Sequence, residues 1–551
     1  MSDAVSFRPH GKTARVTLPE LSESAAPEFV DAASCKAWLE NVPLANVAAA
    51  QSDLLTQLEE FNRFPASSAH RLAVLEALRE ALHFVQIEQA KRFANRALPM
   101  AESEAAAFGA TDALWDEMRV GYRRCLEAAL NKDAAMRSQA ALICQRLLAY
   151  AGLKMFHHYR AYREVTAADW AELNQTYAHA ETLDVAEDAV KDFLNRDIQD
   201  TSPRIAYARA VLMGMCNANE LAPRQLTFVA YLLERWGSKL EISRKPVDEG
   251  EGIPPLVADL AGEGCPERRE SGKTAKDPRY LDARKLAKSL RNRVALLRKG
   301  ESPAKLALGE DCVQPSCEQL LVYLYRHWCQ AKPARLGDRR LVGASAEACN
   351  DMAAIHYYIS GRIFKQPGEQ AELTQKQRDE IATFGRVSTR DQDEYSNAHG
   401  FLVERWQIED ESVQGMRMVR KASDPGKRYA HGQLVGVRPA DGKQFMLAQV
   451  RWLMAADNGD IHAGLKLLPG LPSPIAIRPT GLNAANDKYV QALALGAVQA
   501  LNSPRSLILP SGWYKPKRII EVFAQVPVKA RLVEVTERGT DFERVAYEKV
   551  E

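Results

Sequence analysis

The chain has 551 residues, of which 46% are hydrophobic and 26% are charged, the composition of an ordinary soluble globular protein. This length exceeds what a single hydrophobic core supports, so we expect several domains. The 73 lysines and arginines nearly balance the 71 aspartates and glutamates. That balance disfavours a protein that coats nucleic acid, because such proteins carry a clear basic excess.

The N-terminal sequence MSDAVSFRPHGKTARV has no apolar core, and no segment approaches 18 consecutive apolar residues. The sequence therefore predicts neither a signal peptide nor a membrane span, and it favours a cytoplasmic location. The nine cysteines lack zinc-finger spacing, and the closest pair is Cys312 and Cys317. Reduced thiols are the expectation, with disulfides or zinc as the alternative.

Residues 1–241 are predicted to form an α-helical domain. In segments such as RLAVLEALREALHFVQIEQAKRFANRAL, apolar residues recur every three or four positions. Trp170, Leu173 and Tyr177 have the W-x2-L-x3-Y spacing of a tetratricopeptide repeat, although Asn174 stands where that repeat prefers glycine. An ordinary helical core is the favoured alternative for this segment.

Two regions of mixed pattern follow the helices. Residues 242–280 are rich in glycine, proline and charge, which predicts a flexible linker or loop. Residues 281–370 contain two further helical segments and then LVGASAEACNDMAAIHYYISGRIF, which is rich enough in β-branched and aromatic residues to be strand. This second region is predicted to be helical to mixed α/β, with a degenerate barrel as one possibility.

Residues 371–470 are predicted to form an antiparallel β-barrel. A short helical segment, EQAELTQKQRDEIATF, precedes strand-length runs that are separated by the turn signals DPGK, ADGK and DNGD. Residues 471–551 continue as a β-rich domain, interrupted by the helical-looking NDKYVQALALGAVQAL. The predicted fold class is therefore multidomain α+β, with helices first and barrels last.

Motifs for catalysis are lacking in the sequence. SGKT at 271–274 and HGKT at 10–13 lack the upstream glycine of a phosphate-binding loop, and HExxH and GxSxG do not occur. His157 and His158 lie on an amphipathic helix, where packed or surface histidines are far commoner than ligands. We therefore expect a protein that is not an enzyme and has no metal or cofactor.

The candidate binding residues form two short motifs about twenty residues apart. Arg386 and Arg390 are spaced R-x3-R, and Asp410, Ser412 and Gly415 are spaced D-x-S-x2-G. Arginine pairs bidentately with phosphate or with the O6/N7 edge of guanine, while a carboxylate accepts from the opposite N–H edge. A serine hydroxyl can donate to a phosphate or a base, and glycine lets the backbone approach a ligand closely. Such a set could clamp a guanine-bearing anion.

The two motifs resemble those of the PilZ domain, the bacterial receptor module for cyclic di-GMP. VRW at 450–452 and GLKLL at 464–468 are similar to that family's later strands, and the resemblance covers about residues 380–470. It implies a six-stranded barrel whose arginine-bearing loop folds over the ligand. Gly385 stands where many members have another arginine, which leaves one ligand or a stacked pair open, and Leu467 replaces the usual phenylalanine.

The resemblance implies a cytoplasmic bacterial cyclic di-GMP receptor that relays binding, by conformational change, to an unidentified protein partner. The alternative is a helical scaffold or adaptor whose barrel is degenerate and binds no ligand. A nucleic-acid binder is disfavoured by the near-zero net charge. A second R-x3-R pair, Arg335 and Arg339, lacks a D-x-S-x2-G partner and is not expected to contact the ligand.

Overall fold

The computed structural model describes residues 18–247, 255–269, 274–309, 311–314, 316–330, 340–367, 400–412, 414–481 and 487–550. The chain divides into two compact units, one formed by residues 1–96 and 100–334 and the other by residues 97–99 and 335–551. The first unit is mainly helical and the second is mainly β. The α+β fold class is therefore confirmed, with the helices first and the β-structure last.

The helical unit is built from α-helices that begin at capped positions. Asp31, Thr166 and Ser202 each accept backbone N–H groups at the start of a helix, which satisfies donors that have no partner within the helix. The helices are α1 (Ala32–Leu39), α2 (Val47–Arg63), α3 (Ser68–Ala90), α4 (Glu102–Leu130), α5 (Ala134–Ser138), α6 (Ala140–Arg160), α7 (Ala167–Thr182), α8 (Pro203–Met215), α9 (Pro223–Trp236), α10 (Arg284–Arg298) and α11 (Ser316–Cys329). Among the described residues, no helix is both long enough and apolar enough to cross a bilayer.

The core of this unit explains two of the sequence patterns. Trp170, Leu173 and Tyr177 are buried in one hydrophobic cluster, where Tyr177 stacks on Tyr207 with ring centroids 4.4 Å apart. The packing of these three residues is therefore that of an ordinary helical core, the favoured alternative for this segment. Asn174, the residue at the glycine position of the repeat pattern, accepts a hydrogen bond from the Tyr207 hydroxyl at 2.8 Å.

The two adjacent histidines of α6 are packed side chains, as expected. His157 is buried, and its Nδ1 accepts a hydrogen bond from Trp115 Nε1 at 3.1 Å. Burial lowers the pKa of His157 to about 3, so its ring is neutral near pH 7. His158 Nε2 lies 2.7 Å from Asp112 Oδ1. Both rings therefore hold helices together rather than facing a ligand.

The expected linker at 242–280 is folded over its described part, so that expectation was wrong. Short antiparallel strands at 241–243, 278–282, 256–259 and 267–268 form a sheet in that order. Leu256, Val257 and Ala258 are buried, so the segment contributes apolar area to the core despite its glycines and prolines. The strands of the helical unit are β1 (Val190–Lys191), β2 (Asp200–Thr201), β3 (Glu241–Ser243), β4 (Leu256–Asp259), β5 (Glu267–Arg268) and β6 (Pro278–Asp282).

The cysteines depart from expectation at one pair. Cys312 and Cys317 form a disulfide with their Cα atoms 5.0 Å apart, so the prediction of reduced thiols was wrong for them. The loop that precedes α11 brings the two side chains together although they are not in a CxxC pattern. The other seven cysteines are free.

The second unit contains a closed antiparallel barrel, called the first barrel below, in the ring order β10-β11-β12-β9-β8-β7. Its strands are β7 (Arg340–Asn350), β8 (Glu404–Ser412), β9 (Gly415–Arg420), β10 (Leu434–Pro439), β11 (Met446–Ala455) and β12 (Ile461–Leu467), and helix α12 (Met352–Ser360) follows β7. β7 pairs with both β8 and β10. β7 is thus a strand of this barrel, and it does not belong to a separate degenerate barrel within residues 281–370. The expected start of the barrel at residue 371 was therefore wrong, because the barrel begins with β7. The helix expected at 369–384 lies outside the described residues.

The C-terminal segment forms another closed barrel, the second barrel, in the ring order β13-β14-β15-β18-β17-β16. Its strands are β13 (Pro472–Pro479), β14 (Val490–Leu495), β15 (Ser506–Pro510), β16 (Ile519–Phe523), β17 (Pro527–Arg538) and β18 (Phe542–Val550). The helix expected at 486–501 was wrong, because Val490–Leu495 pairs with strands on both sides. Taken in chain order, both barrels have the same ring of strand neighbours, first-second-third-sixth-fifth-fourth.

The two barrels pack against each other through an apolar cluster that includes Leu434 and Leu447 of the first and Leu493 and Phe542 of the second. Two hydrogen bonds between the barrels accompany this apolar cluster. Leu434 N–H donates to Asp541 Oδ1 at 2.9 Å, and Gln449 Nε2 donates to the Arg538 carbonyl at 3.1 Å. The turn between β17 and β18 is therefore fixed against the first barrel.

Candidate ligand-binding site

The structure describes one of the two predicted motifs. Asp410 and Ser412 lie at the end of β8, and Gly415 begins β9. Arg386 and Arg390 lie outside the described residues, as do Arg335 and Arg339. The geometry of the site is therefore that of the Asp-Ser-Gly half.

The interior of the first barrel is filled by its own side chains. An apolar cavity of about 10 Å³ lies within the barrel, which is room for no more than a water molecule. Its lining residues are Ala348, Trp406, Met418, Tyr429, Val435, Ala463 and Leu465. This cavity is too small for a ligand of nucleotide size, so we expect such a ligand on the outside of this barrel.

A row of paired residues crosses the outer face at the motif. Asp410 is the partner of Arg417 across β8 and β9, Arg417 is the partner of Gly464 in β12, and Gly464 is the partner of Trp452 in β11. Directly opposed residues share one face of a sheet. Because the neighbouring Met418, Ala463 and Leu465 line the interior, this row faces outward.

The indole of Trp452 lies directly against Gly464. A Cβ atom at Gly464 would stand 1.9 Å from Trp452 Nε1, so only glycine leaves room for the ring. The Arg417 guanidinium carbon is 6.0 Å from the Trp452 ring centroid, at the outer limit of a cation–π contact. Arg417 Nε also lies 2.6 Å from Glu409 Oε2. The guanidinium is thus held beside Asp410 by an acidic and an aromatic neighbour.

The motif serine and glycine also shape the turn itself. The Ser412 hydroxyl donates to the Gly415 carbonyl at 3.2 Å. A Cβ atom at Gly415 would lie 2.2 Å from the Leu465 carbonyl oxygen, because β9 approaches β12 closely at this point. Gly415 therefore has a structural requirement of its own, separate from any contact with a ligand.

A second cation stands next to the turn. Lys466 is the cross-strand partner of Gly415, and its side chain is half exposed on the outer face. Its ammonium forms an ion pair with Glu537 of the second barrel. Together with Arg417, it places two positive charges around the Asp-Ser-Gly turn.

The sequence motifs indicate no roles for Arg417, Trp452 or Lys466. The sequence does contain one relevant signal, because residues two apart on a strand point to the same face of the sheet. Asp410 and Ser412 are two apart, and so are Gly464 and Lys466. Alternation shows which residues of one strand share a face, but the strand register is needed to show which strands meet. The three side chains could therefore have been found only after the pairing was known.

A buried histidine lies near this row without joining it. His462 Nδ1 is 3.9 Å from Glu409 Oε2. Burial, and next the Arg417 guanidinium, lowers the pKa of His462 to about 4, so the ring is neutral near pH 7. Within the described residues, no group of three or more histidine, cysteine, aspartate or glutamate side chains is placed to hold a metal ion.

The outer face therefore combines a carboxylate, a hydroxyl, two cations and an aromatic ring within four neighbouring strands. The cations suit phosphate oxygens, and the carboxylate suits a planar N–H edge. This chemistry fits an anion that also carries a base.

Comparison with known proteins bears on both units. Residues 33–247 match the family model described as "Cyclic-di-GMP receptor FimW, N-terminal domain", and residues 475–550 match the one described as "FimW C-terminal beta-barrel domain". The chain is also 24% identical, over 529 residues, to the cyclic-di-GMP receptor FimW of Pseudomonas aeruginosa, covering 86% of this chain and 83% of the relative. The two family models describe two domains of FimW and together match just over half of the chain, so the chain is similar to FimW in both its N-terminal and its C-terminal parts.

Proposed function

We propose that this protein is a cytoplasmic receptor for cyclic di-GMP and that the ligand binds on the outer face of the first barrel, at Asp410, Ser412 and Gly415. The observation that carries the proposal is the placement of Asp410 and Ser412 on one face, with Arg417 and Lys466 beside them. The similarity to a cyclic-di-GMP receptor along most of the chain supports the choice of ligand.

Each group has a part in the proposal. The Asp410 carboxylate accepts from the N–H edge of a guanine, and the Ser412 hydroxyl donates to a phosphate or base oxygen. Arg386 and Arg390, spaced as in the PilZ motif, supply bidentate contacts to guanine or phosphate. The role is ligand binding and signalling rather than catalysis, and binding shifts the population between two arrangements of the second unit.

Isothermal titration of the purified full chain with cyclic di-GMP, GTP and GMP tests the ligand. We expect micromolar or tighter affinity for cyclic di-GMP and much weaker binding of the mononucleotides, because only the dinucleotide offers two guanines and two phosphates. Equal affinity for GTP would contradict a cyclic di-GMP site.

Substitution of Arg386 and Arg390 tests the R-x3-R motif, which is known from the sequence but lies outside the described residues. A charged hydrogen bond is worth about 1.5–3 kcal/mol when its loss leaves a partner unpaired, so Arg386→Ala or Arg390→Ala should each weaken binding roughly ten- to a hundredfold. Arg505→Ala, at an exposed arginine of the second barrel, is the matched control and should bind as the wild type does. If the wild type binds no nucleotide at all, the scaffold or adaptor alternative stands.

A further inference from the structure

One side chain connects the outer face of the first barrel, where we place the ligand, with the second barrel. Lys466 lies opposite Gly415 on β12, and its ammonium forms an ion pair with Glu537 on β17 of the second barrel. The Lys466 side chain thus lies beside the proposed ligand site and also takes part in the contact between the two barrels.

We propose that Lys466 is a ligand-binding residue shared between the two barrels, so that a phosphate of the bound dinucleotide competes with Glu537 for its ammonium. This inference rests on the proposed function. Binding of the ligand to the first barrel would then release Glu537, in the second barrel, from its ion pair with Lys466.

The two partners differ in their freedom to move. The Lys466 side chain is 48% exposed, whereas that of Glu537 is 11% exposed. Glu537 has another cation to hold it, since its Oε2 lies 3.6 Å from Arg544 Nη1. The lysine can therefore turn toward a ligand while the glutamate stays in place and keeps one positive partner.

An ion pair with an exposed lysine is weak enough to be exchanged. Such pairs contribute little to stability, because the exposed ammonium is well hydrated without its partner and the long lysine side chain loses rotamer freedom in the pair. A phosphate that is also held by other groups at the site would be a stronger partner for the ammonium. The exchange is therefore favourable once the ligand is bound.

Breaking this pair leaves the barrels joined. The apolar cluster between them does not include either residue. The hydrogen bonds from Leu434 to Asp541 and from Gln449 to Arg538 fix the β17–β18 turn independently. The pair can therefore respond to the ligand without the second unit coming apart.

A double-mutant cycle on the full chain, read by isothermal titration with cyclic di-GMP, tests the sharing. Lys466→Met removes a ligand contact and should weaken binding about tenfold. Glu537→Gln removes the competitor and should tighten binding about three- to fivefold. With Lys466→Met already present, Glu537→Gln should change the affinity by less than about 1.5-fold, because no ammonium remains to compete for.

Lys443→Met, at an exposed lysine in the β10–β11 turn of the same barrel, controls for the loss of one positive charge and should leave the affinity unchanged. Additive effects in the cycle, or no effect of Lys466→Met in a wild type that binds, would overturn the sharing while leaving the proposed function intact. Absence of binding by the wild type would overturn both. A purely structural role for Lys466 would lower the melting temperature of the free protein and leave the affinity unchanged.

Discussion

The two barrels have the same order of strands but different surfaces where their second and third strands meet. In the first barrel this connection is the Asp-Ser-Gly turn, with Arg417 and Lys466 beside it. In the second barrel it is the longer GAVQALNSPR segment, which has no D-x-S-x2-G. The same architecture thus carries the D-x-S-x2-G motif in one copy and lacks it in the other, so the fold alone does not determine which residues this connection presents.

The largest expected difference between the barrels concerns their glycines. Gly415→Ala would force a Cβ atom to within 2.2 Å of the Leu465 carbonyl oxygen, which should destabilise the protein by about 3 kcal/mol. Gly496→Ala, in the corresponding connection of the second barrel, meets nothing within 4 Å and should change the stability by less than about 0.5 kcal/mol. Thermal unfolding of both variants without ligand measures this. Equal losses would mean that the close approach of β9 to β12 is not rigid.

The next difference concerns ligand affinity. Asp410→Ala should weaken cyclic di-GMP binding roughly ten- to a hundredfold, since it removes the acceptor for a guanine N–H edge. Gln499→Ala, at an exposed residue of the corresponding connection, should bind the ligand as the wild type does. The ligand-induced rise in melting temperature reports the same contrast by linkage. A loss of affinity in Gln499→Ala as well would show that the second barrel contributes to the site.

The smallest expected difference concerns acid stability. The first barrel buries His462, with Arg417, Glu409, Asp460 and Lys421 around it, whereas residues 472–551 contain no histidine. The pKa of His462 is about 4 when folded and about 6.5 when unfolded, so the unfolded chain takes up the proton first as the pH falls. The stability that the neutral ring confers is therefore complete above about pH 6.5 and decreases toward pH 4.

His462→Gln tests this, because it removes the titrating group while keeping a polar side chain. The gap in melting temperature between wild type and variant should shift in favour of the variant as the pH falls from 7.5 to 5. The other buried histidines, such as His157, are present in both proteins and cancel in the comparison. A gap that stays constant with pH would show that His462 titrates normally.

Local sequence signals predicted the first barrel well. The turn signal DNGD separates β11 from β12, and Gly459 within it has φ of +83°, a conformation that glycine adopts without strain. Strand-length runs separated by turn signals located β8 to β12. The assignment of Asp410, Ser412 and Gly415 to a ligand, which came from the two motifs and the PilZ resemblance, stays a prediction.

What the sequence did not reveal depends on tertiary structure. Val490–Leu495 contains alanines and leucines that also favour a helix, and pairing with strands on both sides decides for a strand. β7 joins β8 across more than fifty residues, a pairing that no local pattern specifies. Arg417 meets Asp410 through the register of the β8–β9 hairpin, whereas Trp452 and Lys466 approach the motif only through strands that are distant in sequence.

Closure of the two barrels restricts how a partner protein could recognise the second unit. In both rings each strand has a neighbour on either side, so the described barrel strands present no unpaired edge. A partner peptide therefore has no row of backbone N–H and C=O groups on which to add itself as another strand. At the described barrel strands, recognition would therefore depend on side chains of the outer faces, among them the Asp410 and Lys466 side chains to which we assign the ligand.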